Sequence, residues 1–102
     1  MPNQIDTTTE FDDWLDGLKD PIGRGAVSLR IARAENGSFG DIESVGDGVS
    51  EMRVFVGPGY RIYFVRTGSI RYLMLYGSDK TDQRRAIKRA KEILDALRGK
   101  QR

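Results

Sequence analysis

The groups able to do chemistry in this chain are arginines, tyrosines and carboxylates. Arg53, Arg61, Tyr63, Tyr72 and Tyr76 fall in a stretch of alternating apolar and polar residues, which Asp79 and Lys80 close. An arginine fork meets a phosphate with two parallel hydrogen bonds, and an aromatic ring stacks on a nucleobase. A surface that mixes the two suits single-stranded nucleic acid, whose splayed bases are free to stack. The same residue types also cover ordinary exposed sheets, with stems packed on neighbours and polar tips in water. On spacing alone both readings stand.

The segment "GPGYRIYF", residues 57–64, sharpens the question. Arg61 sits between Tyr60 and Ile62 in what reads as a strand. A strand covered on both faces seldom keeps a full charge unless something pairs with it.

Composition removes several classes of site. The 102 residues include no cysteine and no histidine, so a disulfide framework, a thiolate or imidazole zinc site and a Ser-His-Asp triad are all excluded. Proton transfer, if any, must fall to Lys, Tyr, Asp or Glu. No metal and no cofactor is expected. No apolar run approaches the roughly 18 residues of a membrane span. "MPNQIDTTTE" shows neither the basic nor the apolar region of a secretory signal, so a cytoplasmic location is the expectation. The length fits one domain, residues 1–102. Charge is uneven: residues 1–20 carry six acids and one base, and residues 80–102 carry nine bases and three acids. Such polarity suits a polyanion on one surface, or simply a basic helix and an acidic one in solvent.

The elements that must hold these groups follow from periodicity. Gln4-Ile5 reads as a short first strand. Thr9 caps a helix with Phe11, Trp14, Leu15 and Leu18 at helical spacing, so Trp14 belongs to the core. Asp20-Pro21 restarts a helix that runs to about Glu35, where Asn36-Gly37 ends it. Two helices so closely joined predict a hairpin. Residues 36–48 read as loop. Three strands follow: 51–56, 60–66 and 69–76. A last helix spans about 81–97, with Ala86, Ile87, Ala90, Ile93, Leu94 and Leu97 on its apolar face. Gly57 and Gly59 serve a turn and do not cradle phosphate, because no helix follows them.

Register then sorts the faces. A Gly-Pro-Gly turn sets Met52 opposite Phe64 and Arg53 opposite Tyr63. A Thr67-Gly68 turn sets Ile62 opposite Leu73 and Tyr63 opposite Tyr72. The expected core face is Met52, Val54, Val56, Ile62, Phe64, Leu73 and Leu75. The opposite, accessible face carries Arg53, Phe55, Arg61, Tyr63, Tyr72, Met74 and Tyr76.

Two segments, "GDIESVGDGVSEMRVFVGPGYRIYF" and "LMLYGSDKTDQRRAIKRAKEIL", resemble the RelE/ParE toxin superfamily, and within it the HigB-like branch of addiction-module killer proteins. The likeness runs from "FDDWLDGLKD" to about Leu97. It implies an α+β fold, a small antiparallel sheet with an N-terminal helical hairpin packed on one face and a C-terminal helix. It implies a ribosome-dependent endoribonuclease that cuts messenger RNA and stops translation. The implied partners are the ribosome, its message and a cognate antitoxin, often a small helix-turn-helix protein. Basic positions of the family's central strands match Arg53 and Arg61. The family's "GGDK" segment matches Gly77, Ser78, Asp79 and Lys80, with Ser78 in place of the second glycine.

Carried over, the catalytic set is Arg53, Arg61 and Lys80. Substrate would meet Tyr63, Tyr72, Tyr76, Asp79 and, at the start of the last helix, Arg84 and Arg85. Arginine suits the phosphorane charge, since its own charge is fixed and its fork matches phosphate. Lys80 and Asp79 are the best-placed proton carriers. Glu51 shares the Arg53 face, either as a base or as an ion-pair partner, and Glu–Arg pairs are ordinary. The lack of histidine leaves a second expectation open, a non-catalytic ParE-like toxin acting on a protein such as DNA gyrase.

Overall fold

The structure is a computed structural model and describes residues 2–99. Lys100 and Arg102, part of the basic C-terminal count, lie outside the described residues. In chain order the elements are β1 (Gln4–Thr7), α1 (Thr9–Asp16), α2 (Pro21–Glu35), β2 (Ile42–Gly46), β3 (Val49–Val54), β4 (Tyr60–Arg66), β5 (Arg71–Asp79), a 3-10 turn (Lys80–Asp82) and α3 (Gln83–Gly99).

Local chemistry explains most of these bounds. The Thr8 hydroxyl accepts from the Phe11 N–H at 2.9 Å and donates to the Leu75 carbonyl at 2.7 Å. Thr8, and not the expected Thr9, is therefore the cap of α1, and it also ties that helix to β5. Proline at the first position of α2 needs no hydrogen-bond donor there, and Asn36 closes that helix. Residues 36–48, expected to be loop, contain β2. Its hairpin to β3 turns on Asp47-Gly48, whose φ angles of 57° and 82° match the left-handed pair that a two-residue turn requires.

The five strands form one mixed sheet in the order β1-β5-β4-β3-β2. β1 lies parallel to β5, and the other pairs are antiparallel. The expected antiparallel sheet is thus corrected to a mixed one, and the helices do not open the chain: the short strand read at Gln4-Ile5 is present as the edge strand β1, Gln4–Thr7, ahead of α1 and α2.

Both faces of the sheet are covered. α1 and α2 supply Phe11, Val27 and Ala34 to one core, with Met52, Val54, Ile62, Phe64 and Met74 beneath them. α3 supplies Ala86, Ala90, Ile93 and Leu94 to the other core, over Val49, Tyr63, Val65 and Leu75. Three apolar helix surfaces on so small a sheet need two faces. The expectation of one open face failed because it set all the helices on one side.

Register accounts for the remaining corrections. β3 and β4 pair with Met52 opposite Ile62 and Arg53 opposite Arg61, two residues away from the expected register. An even slip keeps every side chain on its face, so Arg53 and Arg61 stay together, away from Ile62. β5 is different. The β4–β5 loop is longer than Thr67-Gly68: Arg66 opposes Tyr72, and the Arg66 guanidinium donates to the Gly68 and Ser69 carbonyls at 2.9 and 2.8 Å. A bulge then separates Phe64↔Met74 from Tyr63↔Tyr76. Leu73 and Leu75 therefore join the α3 core, while Tyr72 and Met74 face α1 and α2.

Gly77 shows how close the packing is. A Cβ there would come within 2.3 Å of the Trp14 ring, which packs on the α1/α2 core between Phe11 and Tyr60. Gly77→Ala is expected to cost about 1–3 kcal/mol through overpacking. Thermal melting should register about 4–8 °C for each kcal/mol lost, and an unchanged midpoint would show that the ring shifts freely.

Candidate functional site

The β3–β4 loop, residues 55–59, is braced at both ends. The Val56 N–H donates to Val54 and the Gly59 N–H to Val56, each at 3.0 Å. Gly57 and Gly59 adopt φ of 56° and 82°, the left-handed geometry that the turn reading requires. Tyr60 anchors the loop to α2, its hydroxyl donating to Asp20 Oδ2 at 2.8 Å. The nearby Gly23 amide, then that hydroxyl, hold the Asp20 carboxyl below the ordinary carboxylate range.

Between this loop and the end of β5 opens a cleft of about 380 Å³. Arg53, Arg61 and Lys80 all line it, with Phe55, Pro58 and Tyr60. β3 and β4 set the two arginines directly opposite one another. Gly59 sits between Arg61 and Lys80: a Cβ built on it would lie 3.9 Å from both Arg61 Nη1 and Lys80 Cβ.

Two guanidinium groups side by side need a counter-charge, and Glu51 supplies it from beneath. Glu51 is 1% exposed. Its Oε1 accepts from Arg53 Nε at 3.3 Å, and its Oε2 accepts from Gln83 Nε2 at 2.9 Å and lies 3.6 Å from Arg61 Nε. Buried charge of this kind persists when paired and hydrogen-bonded. Of the two roles open to Glu51, the geometry is that of the ion-pair partner, although a buried pair replaces the exposed one expected.

The three cations differ in how far they are already matched. Arg53 meets Glu43 and Asp41 as well as Glu51. Arg61 meets Glu51 alone, and its buried Nε has no hydrogen-bond partner among the described residues. Lys80 is exposed and has no ion-pair partner among the described residues. An anion entering the cleft therefore finds its uncommitted positive charge on the Arg61–Lys80 side.

Other expected site residues lie elsewhere or are otherwise engaged. Tyr63 is fully buried under α3, opposite Glu51, with its hydroxyl 3.0 Å from Ser78 Oγ. Burial pushes that hydroxyl up to about 12, so it stays protonated and offers no stacking surface. Tyr72 is on the opposite face, against Phe39 and Phe64. Tyr76 lines a separate cavity with Glu10, Trp14 and Arg89. Asp79 accepts from the Thr81 hydroxyl at 2.6 Å and from the Thr81 N–H at 2.9 Å. The Thr81 hydroxyl in particular holds its carboxyl below the ordinary range, so Asp79 is an ionised cap and a poor proton donor. Arg84 and Arg85 are exposed on α3 outside the cleft lining, and Arg85 lies 3.6 Å from Asp82.

Gln83 and Phe55 were not among the expected site residues. No spacing rule connects Gln83 to Glu51, whereas Phe55 falls two residues after Arg53 in the expected strand 51–56, although the structure ends β3 at Val54 and puts Phe55 at the start of the loop. Among the described residues no group of three or more His, Cys, Asp or Glu could hold a metal ion, and no helix is long and apolar enough to cross a membrane.

No family model matches the chain. A protein of Haemophilus influenzae, described as uncharacterized, is 41% identical over 97 residues, covering 95% of this chain and 98% of that protein. The chain belongs to that protein's family. Identity at this level across nearly the whole length carries a common fold, and it adds no chemistry to what the cleft itself displays.

Proposed function

We propose that the chain is a RelE-like toxin of the HigB-like branch, from a type II toxin–antitoxin system, and that it acts as a ribosome-dependent endoribonuclease on messenger RNA. The observation that carries this reading is the convergence of Arg53, Arg61 and Lys80 on one cleft. In the reaction the 2′-hydroxyl oxygen bonds to the adjacent phosphorus as the P–O5′ bond breaks. The 2′ proton leaves to a base and the departing 5′ oxygen gains a proton, giving a 2′,3′-cyclic phosphate and a 5′-hydroxyl. Arg61 opposes the charge growing on the phosphorane, and Lys80 is the group free to handle a proton. The partners are ribosome-bound message and an inhibitory antitoxin, in the cytoplasm, with no metal or cofactor.

A second reading has an observation of its own. Arg53 is already enclosed by three carboxylates, which suits a non-catalytic ParE-like toxin that inhibits a protein such as DNA gyrase. Primer extension on message from ribosomes incubated with the purified chain separates the two. Discrete new 5′ ends that require ribosomes are the expected result. Intact message together with inhibited gyrase supercoiling would replace the first reading with the second.

A further inference from the structure

Phe55 is 75% exposed although it lies beside a cluster of cations. Among the described residues the other exposed large apolar side chains are Ile22, Leu29, Ile42 and Ile70; none lines the cleft and none has a flat ring. An aromatic side chain left in water forgoes burial that a packed core would supply, so its position at the cleft needs a reason. The loop that carries it is held by two backbone hydrogen bonds, by Pro58 and by the Tyr60–Asp20 anchor. A ring on so stiff a mount loses little freedom when something stacks on it.

We infer that Phe55 is a base-stacking residue, holding a nucleobase next to the phosphate seated on Arg61 and Lys80. The inference rests on the ribonuclease reading and adds the group that positions the substrate. A flat apolar ring beside uncommitted cations matches a ligand with a π-face and a phosphate in adjacent parts, which is a single-stranded nucleotide. Stacking tolerates any base, so Phe55 confers hold and orientation, while base preference must come from hydrogen-bonding groups elsewhere. Tyr63, the ring that strand spacing singles out beside Arg61, cannot do this because it is fully buried.

The test compares Phe55→Ala, Phe55→Leu and Phe55→Trp with the wild type. The readouts are fluorescence anisotropy on a labelled single-stranded RNA hexamer and cleavage of ribosome-bound message. Phe55→Ala and Phe55→Leu should both weaken RNA binding by about tenfold to a hundredfold, the range for losing one stacked base. On ribosomes they should raise KM more than they lower kcat. Phe55→Trp should bind at least as well as the wild type. Melting temperatures should stay together, since the side chain is mostly in water. Full binding by Phe55→Leu would mean that apolar area matters and stacking does not, as for a protein partner, and the inference falls. Wild-type affinity in Phe55→Ala, with Arg61→Ala still defective, would remove Phe55 and leave the ribonuclease reading standing. A wild-type chain that neither binds the hexamer nor cuts message would overturn both.

Discussion

Arg61→Ala is expected to lower message cleavage by about 10²–10³, the usual loss when one donor to a developing oxyanion is removed. Arg61 is the arginine of the cleft with a single carboxylate partner, and its buried Nε has no hydrogen bond within the described residues. Of the two guanidinium charges in the cleft, its own is therefore the more available to a phosphorane. The substitution also has a structural cost. The Arg61 side chain is 17% exposed and lies beside the buried Glu51, so some stability should be lost with it, but less than the about 3–5 kcal/mol of a fully broken buried pair, because Arg53 stays on Glu51. Arg61→Lys separates the two effects. An ammonium keeps the charge but loses the planar fork, so folding should recover more than rate does. Cleavage rate under saturating ribosomes and denaturant midpoint, measured on both variants, test this. A folded Arg61→Ala that cuts at the wild-type rate would remove Arg61 from the chemistry. Arg53→Ala makes a poorer probe, because it would take the shared cation from Asp41 and Glu43, leave Glu51 to Arg61 and so mix repulsion with any lost contact.

Glu51→Ala should produce the largest change in stability, about 3–5 kcal/mol, the cost of removing one member of a buried ion pair. The residue is 1% exposed and stands between two guanidinium groups that the strand register forces together. Without it Arg53 and Arg61 face each other with only the outer carboxylates on Arg53 to compensate, and the Gln83 amide loses its acceptor. Against a typical total of about 5–15 kcal/mol, such a loss brings a small domain close to unfolding. Glu51→Gln retains shape and an acceptor, so it should lose less. Chemical denaturation of both variants is the measurement. A Glu51→Ala midpoint matching the wild type would show that solvent reaches the pocket and screens the arginines.

Much of this arrangement was legible in the residues. α2 was bounded correctly because Asp20-Pro21 and Asn36-Gly37 are strong start and stop signals. Arg53 and Arg61 were placed on one face because the β3–β4 register differs from expectation by two residues, and two is the period of a strand. β5 departs from its expected faces for the opposite reason, an odd shift. Its loop is longer than the Thr67-Gly68 pair suggests and a bulge follows, and neither leaves a mark in hydrophobic alternation. β2 carries no strand pattern in the sequence because Ile42, Glu43 and Ser44 are all exposed and have no buried face to alternate with. The Asp47-Gly48 pair was the available clue. The burial of Tyr63 and the Gln83–Glu51 contact depend on α3 crossing the second face, which is a long-range matter that local spacing does not encode.

The outer strand β2 also governs how the molecule behaves in a crowd. A sheet's last strand offers unpaired amides and carbonyls to any other chain, and proteins commonly blunt that invitation with charge and irregularity. Here the charge is Glu43, with Asp41 just before the strand, and the irregularity is the bulge between Ser44 and Gly46. The carboxylates that guard the edge are the ones that hold Arg53. Stripping them to make the cleft more basic would also bare the edge to strand addition, so a gain in anion affinity and a loss of colloidal solubility would come from the same substitution.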